Sequence, residues 1–319
     1  MTNRALIIGV SGQDGVYLAK HLLAQGYEVI GLSRDAETGS FHGLSTMGIK
    51  KQITLDSISA SDFRSVAHVF QRYQPNEVYN LAGQSSVGLS FNQPVETIDS
   101  HLQATITILE VIKFLGKDIK FYNACSSECF GEVDANQPAN EEFPFRPRSP
   151  YALGKAASFW AVANYREAYG LFACSGILGN HESPLRPERF VTQKVIRTVA
   201  KIAEGKAKGL VLGNTGVIRD WGWAEDYVQA MNLMLLQDNA EDFVIATGES
   251  HPLMQFVKLA FEYFDLEYSQ YLKVEKSLFR PSDIKSSYLN PTKANEVLGW
   301  KASHNLSSVV EKLAQNITI

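Results

Sequence analysis

Several things are scarce in this chain of 319 residues, and each scarcity closes off a class of function. Cysteine is nearly absent: Cys125, Cys129 and Cys174 make an odd set, too few for a disulfide framework and lacking the second pair or the histidine spacing of a metal site. They read as packing residues in a reducing compartment. Apolar runs are short, and none reaches the roughly 18–20 residues that a membrane span needs. Met1–Arg4 leads directly into the strand-like Ala5–Gly9, so no cleaved signal peptide is expected and the reading is cytoplasmic. There is no excess of positive charge: 30 Lys and Arg face 34 Asp and Glu, a net of −4. A nucleic-acid backbone would find no basic surface to bind, and an anionic ligand must be held by arginines clustered locally. Repeats, low-complexity tracts and charge runs are also missing.

What is present is an alternation. Ala5–Gly9, Glu28–Ser33, Gln52–Leu55, Glu77–Leu81, Lys120–Ala124 and Phe172–Leu178 are short apolar runs of strand type. Between them Tyr17–Gln25, Asp62–Tyr73, His101–Leu115 and Pro150–Tyr169 carry apolar residues at helical spacing. Strands apolar throughout, separated by helices, predict an α/β fold of Rossmann type, a doubly wound parallel sheet covered on both faces. After about residue 180 the pattern loosens. The expected organisation is a dinucleotide-binding domain over residues 1–178 and a smaller irregular C-terminal substrate lobe over 179–319, with segments interleaving.

The first strand ends in Gly9-Val10-Ser11-Gly12-Gln13-Asp14-Gly15, a G-x-x-G-x-x-G loop opening a helix. Small residues there let the backbone approach a pyrophosphate, whose charge the helix start stabilises. Isolated, such a loop is only a turn; between the first strand and first helix it points to a dinucleotide. The second strand ends at Arg34, where an NAD enzyme would place a carboxylate for the ribose 2′-hydroxyl. A cation suits a 2′-phosphate, which favours NADP; the adjacent Asp35 keeps NAD open.

Tyr151 and Lys155 stand at i and i+4 on one helical face, just after Pro150, a residue suited to a first helical turn. A solvated pair is the bland alternative. After the fifth strand of a dinucleotide fold, however, a lysine beside a phenol favours the phenolate, and Tyr151 becomes a base for a sugar hydroxyl. Upstream, Ser126 and Glu128 stand two apart and share a face if the strand continues that far. Ser126 can then hold an oxygen becoming a ketone, while Glu128 serves as base at the neighbouring carbon and acid to a departing hydroxyl. Alone, Glu128 would read as a solvated strand-end carboxylate.

Together these residues resemble the GDP-mannose 4,6-dehydratases, extended short-chain dehydrogenase/reductases, over the whole chain. The matching segments are Gly9–Gly15, Tyr79–Ala82, Ser126–Glu128 and Arg148–Lys155, then Asn180–Pro184, Phe190–Lys194, Arg219–Gly222 and Phe279–Pro281. The resemblance implies oxidation at C4 of GDP-mannose, loss of water across C5 and C6, and return of hydride to C6. It implies catalytic Ser126, Glu128, Tyr151 and Lys155. For the cofactor it implies Gly9, Ser11, Gly12, Gln13, Asp14, Gly15, Arg34, Asp56 (at adenine), Leu81, Ala82, Asn180, His181 and Arg186, along with Tyr151 and Lys155. For GDP-mannose or a close nucleotide sugar it implies Ser85, Ser126, Glu128, Tyr151, Asn180, Lys194, Arg219 and Arg280. No metal is expected. The Ser183–Arg189 loop resembles a part used between subunits, implying a homodimer or homotetramer. Departures are Ser126 for the family's Thr, Asp35 for a second Arg, Leu185 for an Arg, and Gly83 for an Ala. Reductases and 4-epimerases on the same scaffold need Tyr151 and Lys155 but not Glu128, and a non-catalytic dinucleotide sensor needs none of the four.

Overall fold

A computed structural model of the chain describes residues 3–116 and 118–317. Among these, the strands are β1 (Arg4–Ile8), β2 (Glu28–Ser33), β3 (Thr54–Ser57), β4 (Glu77–Asn80), β5 (Lys120–Ser126), β6 (Ala173–Leu178), β7 (Asn180–Glu182), β8 (Leu210–Leu212), β9 (Ile218–Trp223), β10 (Phe243–Ile245), β11 (Ser250–Pro252) and β12 (Leu272–Val274). Seven of them form one parallel sheet in the order β10-β6-β5-β4-β1-β2-β3. The strand order reverses at β1, which pairs with both β2 and β4, and the crevice above that reversal is where a doubly wound sheet receives its ligand.

The apolar strands are buried on both sides. Ala5 and Ile7 pack into one core with helix residues Val16, Leu18, Tyr227 and Met231. Leu6 and Ile8 pack into the opposite core with Val66, Phe70, Ile108 and Val162. Alternate residues of one strand thus serve two layers, which is why the run lacks polar alternation. A third core, built around Val195, Val199, Trp221, Phe256 and Val309, holds most of the second half together.

Two boundaries differ from the sequence reading. Lys50–Gln52 form a 3-10 turn, so the third strand begins at Thr54 rather than Gln52. The seventh strand, β10, was not expected. It has three residues, too short for a periodic signal; it pairs in register with β6, and a remote ion pair anchors the residue before it. Asp242, immediately before it, receives Arg166 Nη2 at 2.6 Å and Nη1 at 3.1 Å, and also accepts the Ser175 N–H at 2.6 Å.

Candidate active site

The glycine loop is built by close approach. Gly9 has φ +93°, and a Cβ there would lie 3.0 Å from both Ala82 N and Leu81 C. Leu81 and Ala82, which follow β4, therefore form the wall against which the loop folds. A Cβ on Gly15 would overlap Val10 Cα at 2.6 Å, so this glycine lets the helix Gln13–Ala24 sit directly on the loop. Gly12 is the N-cap, extended at φ −76°, ψ 167°, and no side chain of the described residues caps it. The first-turn N–H groups are thus left for an anion, an arrangement that fits the diphosphate of a dinucleotide. Ser11 is exposed beside them.

Gln13 and Asp14 bind this loop to the segment after β6. His181 Nε2 lies 2.9 and 3.0 Å from the two Asp14 oxygens, and His181 Nδ1 lies 2.8 Å from the Gly179 carbonyl oxygen. A carboxylate and a carbonyl both accept, so both ring nitrogens carry protons and His181 is an imidazolium. Burial opposes its charge, but Asp14 outweighs this and raises the His181 pKa. Burial likewise opposes the Asp14 carboxylate, yet the cationic His181 holds it down to about 2. The ring stacks on Tyr227 at 4.5 Å. Gln13 donates to the His181 carbonyl at 3.1 Å and accepts from Ser183 Oγ at 2.8 Å. Arg186 turns inward, with Nη1 at 2.9 Å from the same carbonyl, Nε at 3.1 Å from Glu182, and its guanidinium over the Phe190 ring.

At the far end of the crevice Arg34 is exposed just after β2. The neighbouring Asp35 is committed to its own turn, accepting from the backbone N–H groups of Glu37 and Thr38 at 2.9 Å each and from the Thr38 hydroxyl at 2.5 Å. Asp56 lies next to the last residue of β3, beside Leu32 in register; its carboxylate accepts from Tyr73 O–H at 2.8 Å and pairs with Arg72 at 3.1 Å.

The four residues proposed for chemistry meet at the end of β5. Ser149 caps the helix Pro150–Tyr169, accepting the Ala152 N–H at 3.1 Å, and Pro150 occupies its first turn. That start places Tyr151 and, one turn on, Lys155 over the strand end. Lys155 Nζ donates to the Ala124 carbonyl at 2.6 Å, and burial lowers its pKa. Burial pushes the Tyr151 phenol up; a hydrogen bond with Ser126 works in the other direction, and the charge of Glu128 adds to the rise. The shared strand face expected for Ser126 and Glu128 is not how they are arranged. β5 stops at Ser126, and Ser127–Phe130 wind into a 3-10 turn capped by Ser126, whose Oγ accepts the Glu128 N–H at 3.3 Å. The turn, not strand alternation, presents Glu128 to Arg219 and within electrostatic reach of Tyr151.

β7 lies parallel to β9, pairing Asn180 with Trp221, so Asn180 is brought beside the strand that carries Arg219. Asp220 on β9 is buried and accepts the N–H groups of Thr247 and Gly248 at 3.0 and 2.8 Å, fixing that strand's end; burial pushes its carboxyl up to about 6. Arg219 Nε lies 3.6 Å from Glu128, and its Nη2 lies 3.6 Å from Asp283, which also pairs with Arg280 at 3.6 Å. Ser85 and Lys194 are exposed, on the loop after β4 and in the first turn of the helix Val191–Ala203.

Sequence reasoning missed Asp283 and His101. The His101 ring stands edge-on to Tyr151 at 5.4 Å, and its Nε2 lies 2.9 Å from the Gln84 carbonyl oxygen. Burial, then the charge of Lys155, pushes its pKa well down, so the ring is neutral with its proton on Nε2. Gly83 makes this possible. At φ +133° it is in a conformation side chains rarely adopt, and any Cβ would run into the His101 ring. The one available signal was a histidine among the small and hydroxyl-bearing residues Thr97, Ala104 and Thr105 on one helical face.

A dinucleotide cradle at the switch point of a seven-stranded parallel sheet, with Ser126, Tyr151 and Lys155 at the end of β5, defines the short-chain dehydrogenase/reductase class. The solved structure of dTDP-glucose 4,6-dehydratase from Bacillus anthracis in complex with NAD has this fold, with a TM-score of 0.85 at 18% identity over 98% of this chain and 96% of that one. Residues 6–313 match the GDP-mannose 4,6 dehydratase family, and the chain belongs to it. It is 41% identical to GDP-mannose 4,6 dehydratase 2 of Arabidopsis thaliana, over 97% of this chain and 85% of that one. It is 42% identical to the GDP-mannose 4,6-dehydratase of Vibrio cholerae, over 94% and 90%.

Proposed function

We propose that the chain converts GDP-mannose to GDP-4-keto-6-deoxy-mannose. The observation that carries this is Glu128, held by its 3-10 turn 3.6 Å from Arg219 and close enough for its charge to act on Tyr151. Hydride transfer at C4 alone, as in a reductase or epimerase, has no use for a carboxyl group there; elimination does. Tyr151 takes the proton of the 4-hydroxyl, and Ser126, at the end of β5, holds the oxygen as it becomes a ketone. The ketone acidifies C5–H. Glu128 removes that proton and delivers one to the departing 6-hydroxyl, and C5 regains a proton once hydride has returned to C6, balanced by the one Tyr151 took from the 4-hydroxyl. A nicotinamide dinucleotide, when bound, supplies the acceptor and donor of hydride, with no net consumption of reductant.

Burial raises the Tyr151 phenol rather than lowering it, so its activation must come with the ligands that complete the site. Arg219, Arg280, Asn180 and Lys194 hold the nucleotide sugar, the arginines through paired bonds to its diphosphate. The preferred cofactor is NADP. Arg34 is exposed and has no ion-pair partner among the described residues, which suits a 2′-phosphate, and Asp35 spends its carboxylate on its own turn.

The protein works in the cytoplasm as a homodimer or a homotetramer. Its three cysteines are buried free thiols, and no helix among the described residues is long and apolar enough to cross a membrane. Val95 (71% exposed), Leu153 (50%) and Trp160 (62%), on the packed helices Pro94–Leu115 and Pro150–Tyr169, give subunits an apolar face to share. Incubation with GDP-mannose and no added reduced cofactor tests the reaction: a 4-keto sugar nucleotide is expected. No such product, with cofactor-dependent reduction of a supplied keto sugar instead, overturns it. Release of the bound nucleotide on denaturation, followed by mass measurement, distinguishes NADP from NAD.

A further inference from the structure

No step of the dehydration uses His101, yet it is 3% exposed and touches both the loop after β4 and the helix that carries Tyr151. Its own helix, Pro94–Leu115, presents Thr97, Ser100 and His101 at i, i+3 and i+4 on one face, and all three fasten on a single residue of that loop. Thr97 Oγ1 accepts from the Gln84 side-chain amide at 3.2 Å, Ser100 Oγ accepts the Gln84 N–H at 3.2 Å, and His101 Nε2 donates to the Gln84 carbonyl at 2.9 Å. Gln84 is thereby held at both of its backbone groups and at its side chain.

The His101 ring lies in a slot that two missing side chains leave open. A Cβ on Gly83 would stand 2.3 Å from both Cε1 and Nδ1, and one on Gly154 would stand 3.3 Å from Cδ2. Gly154 lies between Tyr151 and Lys155 in the helix Pro150–Tyr169, so the slot is cut partly into the helix that carries the base. The edge-on contact with Tyr151, 5.4 Å between centroids, is in the range where aromatic rings attract one another. Kept neutral by burial and by Lys155, the ring adds no charge beside the phenol.

We propose that His101 is a positioning residue for the base: it joins the loop after β4 to Tyr151 as one unit and fixes the aim of the phenol at the sugar hydroxyl. The Gln84 hydrogen bond holds the loop at the positive φ of Gly83, and the ring edge carries that geometry to Tyr151. Gly83 is the other half of the device. The alanine usual there in the family has room only where the ring is absent, so Gly83 and His101 are a matched pair. Misplacing a reacting group by about 1 Å costs about 10²-fold in rate, an effect open to a residue that never touches the substrate. The proposal rests on the reading of Tyr151 as the base and adds what aims it.

The test is a double-mutant cycle read at the oxidation step, as reduced nicotinamide formed in a single turnover with GDP-mannose. His101→Ala is expected to slow that step about 10–100-fold with KM little changed. In Tyr151→Phe, whose own loss is about 10²–10⁴-fold, removing His101 as well should change the remaining rate by less than about two-fold, because His101 acts only through the phenol. An unchanged rate in His101→Ala, or losses that multiply in the double variant, overturns the proposal. His101→Gln separates the two contacts: its amide can donate to the Gln84 carbonyl, but it has no ring. The thermal midpoint should return toward the wild type while oxidation stays slow; a wild-type rate in this variant overturns the role of the ring. Gly83→Ala should slow oxidation in the wild type but change His101→Ala by less than about two-fold; equal losses in both backgrounds end the pairing. A wild type that forms no 4-keto sugar but reduces a supplied one refutes the dehydratase reading. The same cycle is then read on that reduction, where Tyr151 serves as acid, and multiplying losses there refute the positioning role alone.

Discussion

Substitution of Asp14 by asparagine probes how the cofactor loop is held to the second half of the chain. In the native arrangement His181 donates to Asp14 through Nε2 and to Gly179 through Nδ1, so the ring is charged and Asp14 is its counter-ion. The Asp14 carboxyl lies at about 2 against an ordinary 3.8. At about 1.4 kcal/mol per unit, that difference is worth about 2 kcal/mol once the partial exposure of the side chain is allowed for. The pH window follows from the signs. Asp14, depressed, stabilises above the unfolded carboxyl pKa, and its contribution is lost as pH falls from there through about 2. His181, raised, stabilises fully below its unfolded value near 6.5 and loses that contribution as pH rises through its folded pKa. In Asp14→Asn the burial of the ring acts unopposed and His181 becomes neutral. Urea unfolding across pH 4.5–9 should therefore show a gap of about 2 kcal/mol near pH 5–6 that narrows on the alkaline side. Parallel curves over the whole range, or a variant as stable as the wild type at pH 5.5, would refute the charged pair.

Glu128→Gln keeps the shape of the side chain and its turn but removes its proton chemistry; turnover should fall about 10²–10⁴-fold while oxidation at C4 remains visible as reduced nicotinamide. Normal turnover would move the acid/base elsewhere. Gly83→Ala restores the residue usual in the family, yet here its methyl meets His101 and its backbone is strained. The expected cost is about 1–3 kcal/mol of stability, read by denaturant midpoint, with a loss of kcat as the ring beside Tyr151 is displaced; a neutral outcome would mean that the loop relaxes freely. Asp242→Ala leaves Arg166 largely buried without its partner, frees the Ser175 N–H and unpins β10. The loss should be about 3–5 kcal/mol, and less than about 1 kcal/mol by urea titration would show that β10 is held by its apolar contacts alone.

The parts legible in the sequence were those whose cause is local. β1 is apolar at every position because Leu6 and Ile8 face one layer and Ala5 and Ile7 the other, and a run of that kind can be read without knowing its neighbours. The glycine loop and the Tyr151–Lys155 spacing likewise carry their geometry within a few residues. β10 was illegible because its three residues are placed by remote partners: β6 in register, Glu141 at the Val244 N–H, and Arg166 on the adjoining Asp242, 76 residues earlier in the chain. The placement of Glu128 is the instructive intermediate case. Its neighbourhood was inferred from strand alternation, but the structure reaches it through a 3-10 turn that Ser126 caps. The same serine hydroxyl that can hold the substrate's oxygen therefore also shapes the turn carrying the acid/base. A change at Ser126 should disturb elimination as well as oxidation, even where the hydroxyl's contact with the sugar is dispensable. The family's threonine keeps that oxygen on the same carbon and can serve both purposes. Alanine can serve neither. The ratio of C5 proton exchange to C4 oxidation in Ser126→Ala separates the two roles: a fall in both supports the shared hydroxyl, and loss of oxidation with normal exchange from a supplied 4-keto sugar confines Ser126 to the ketone.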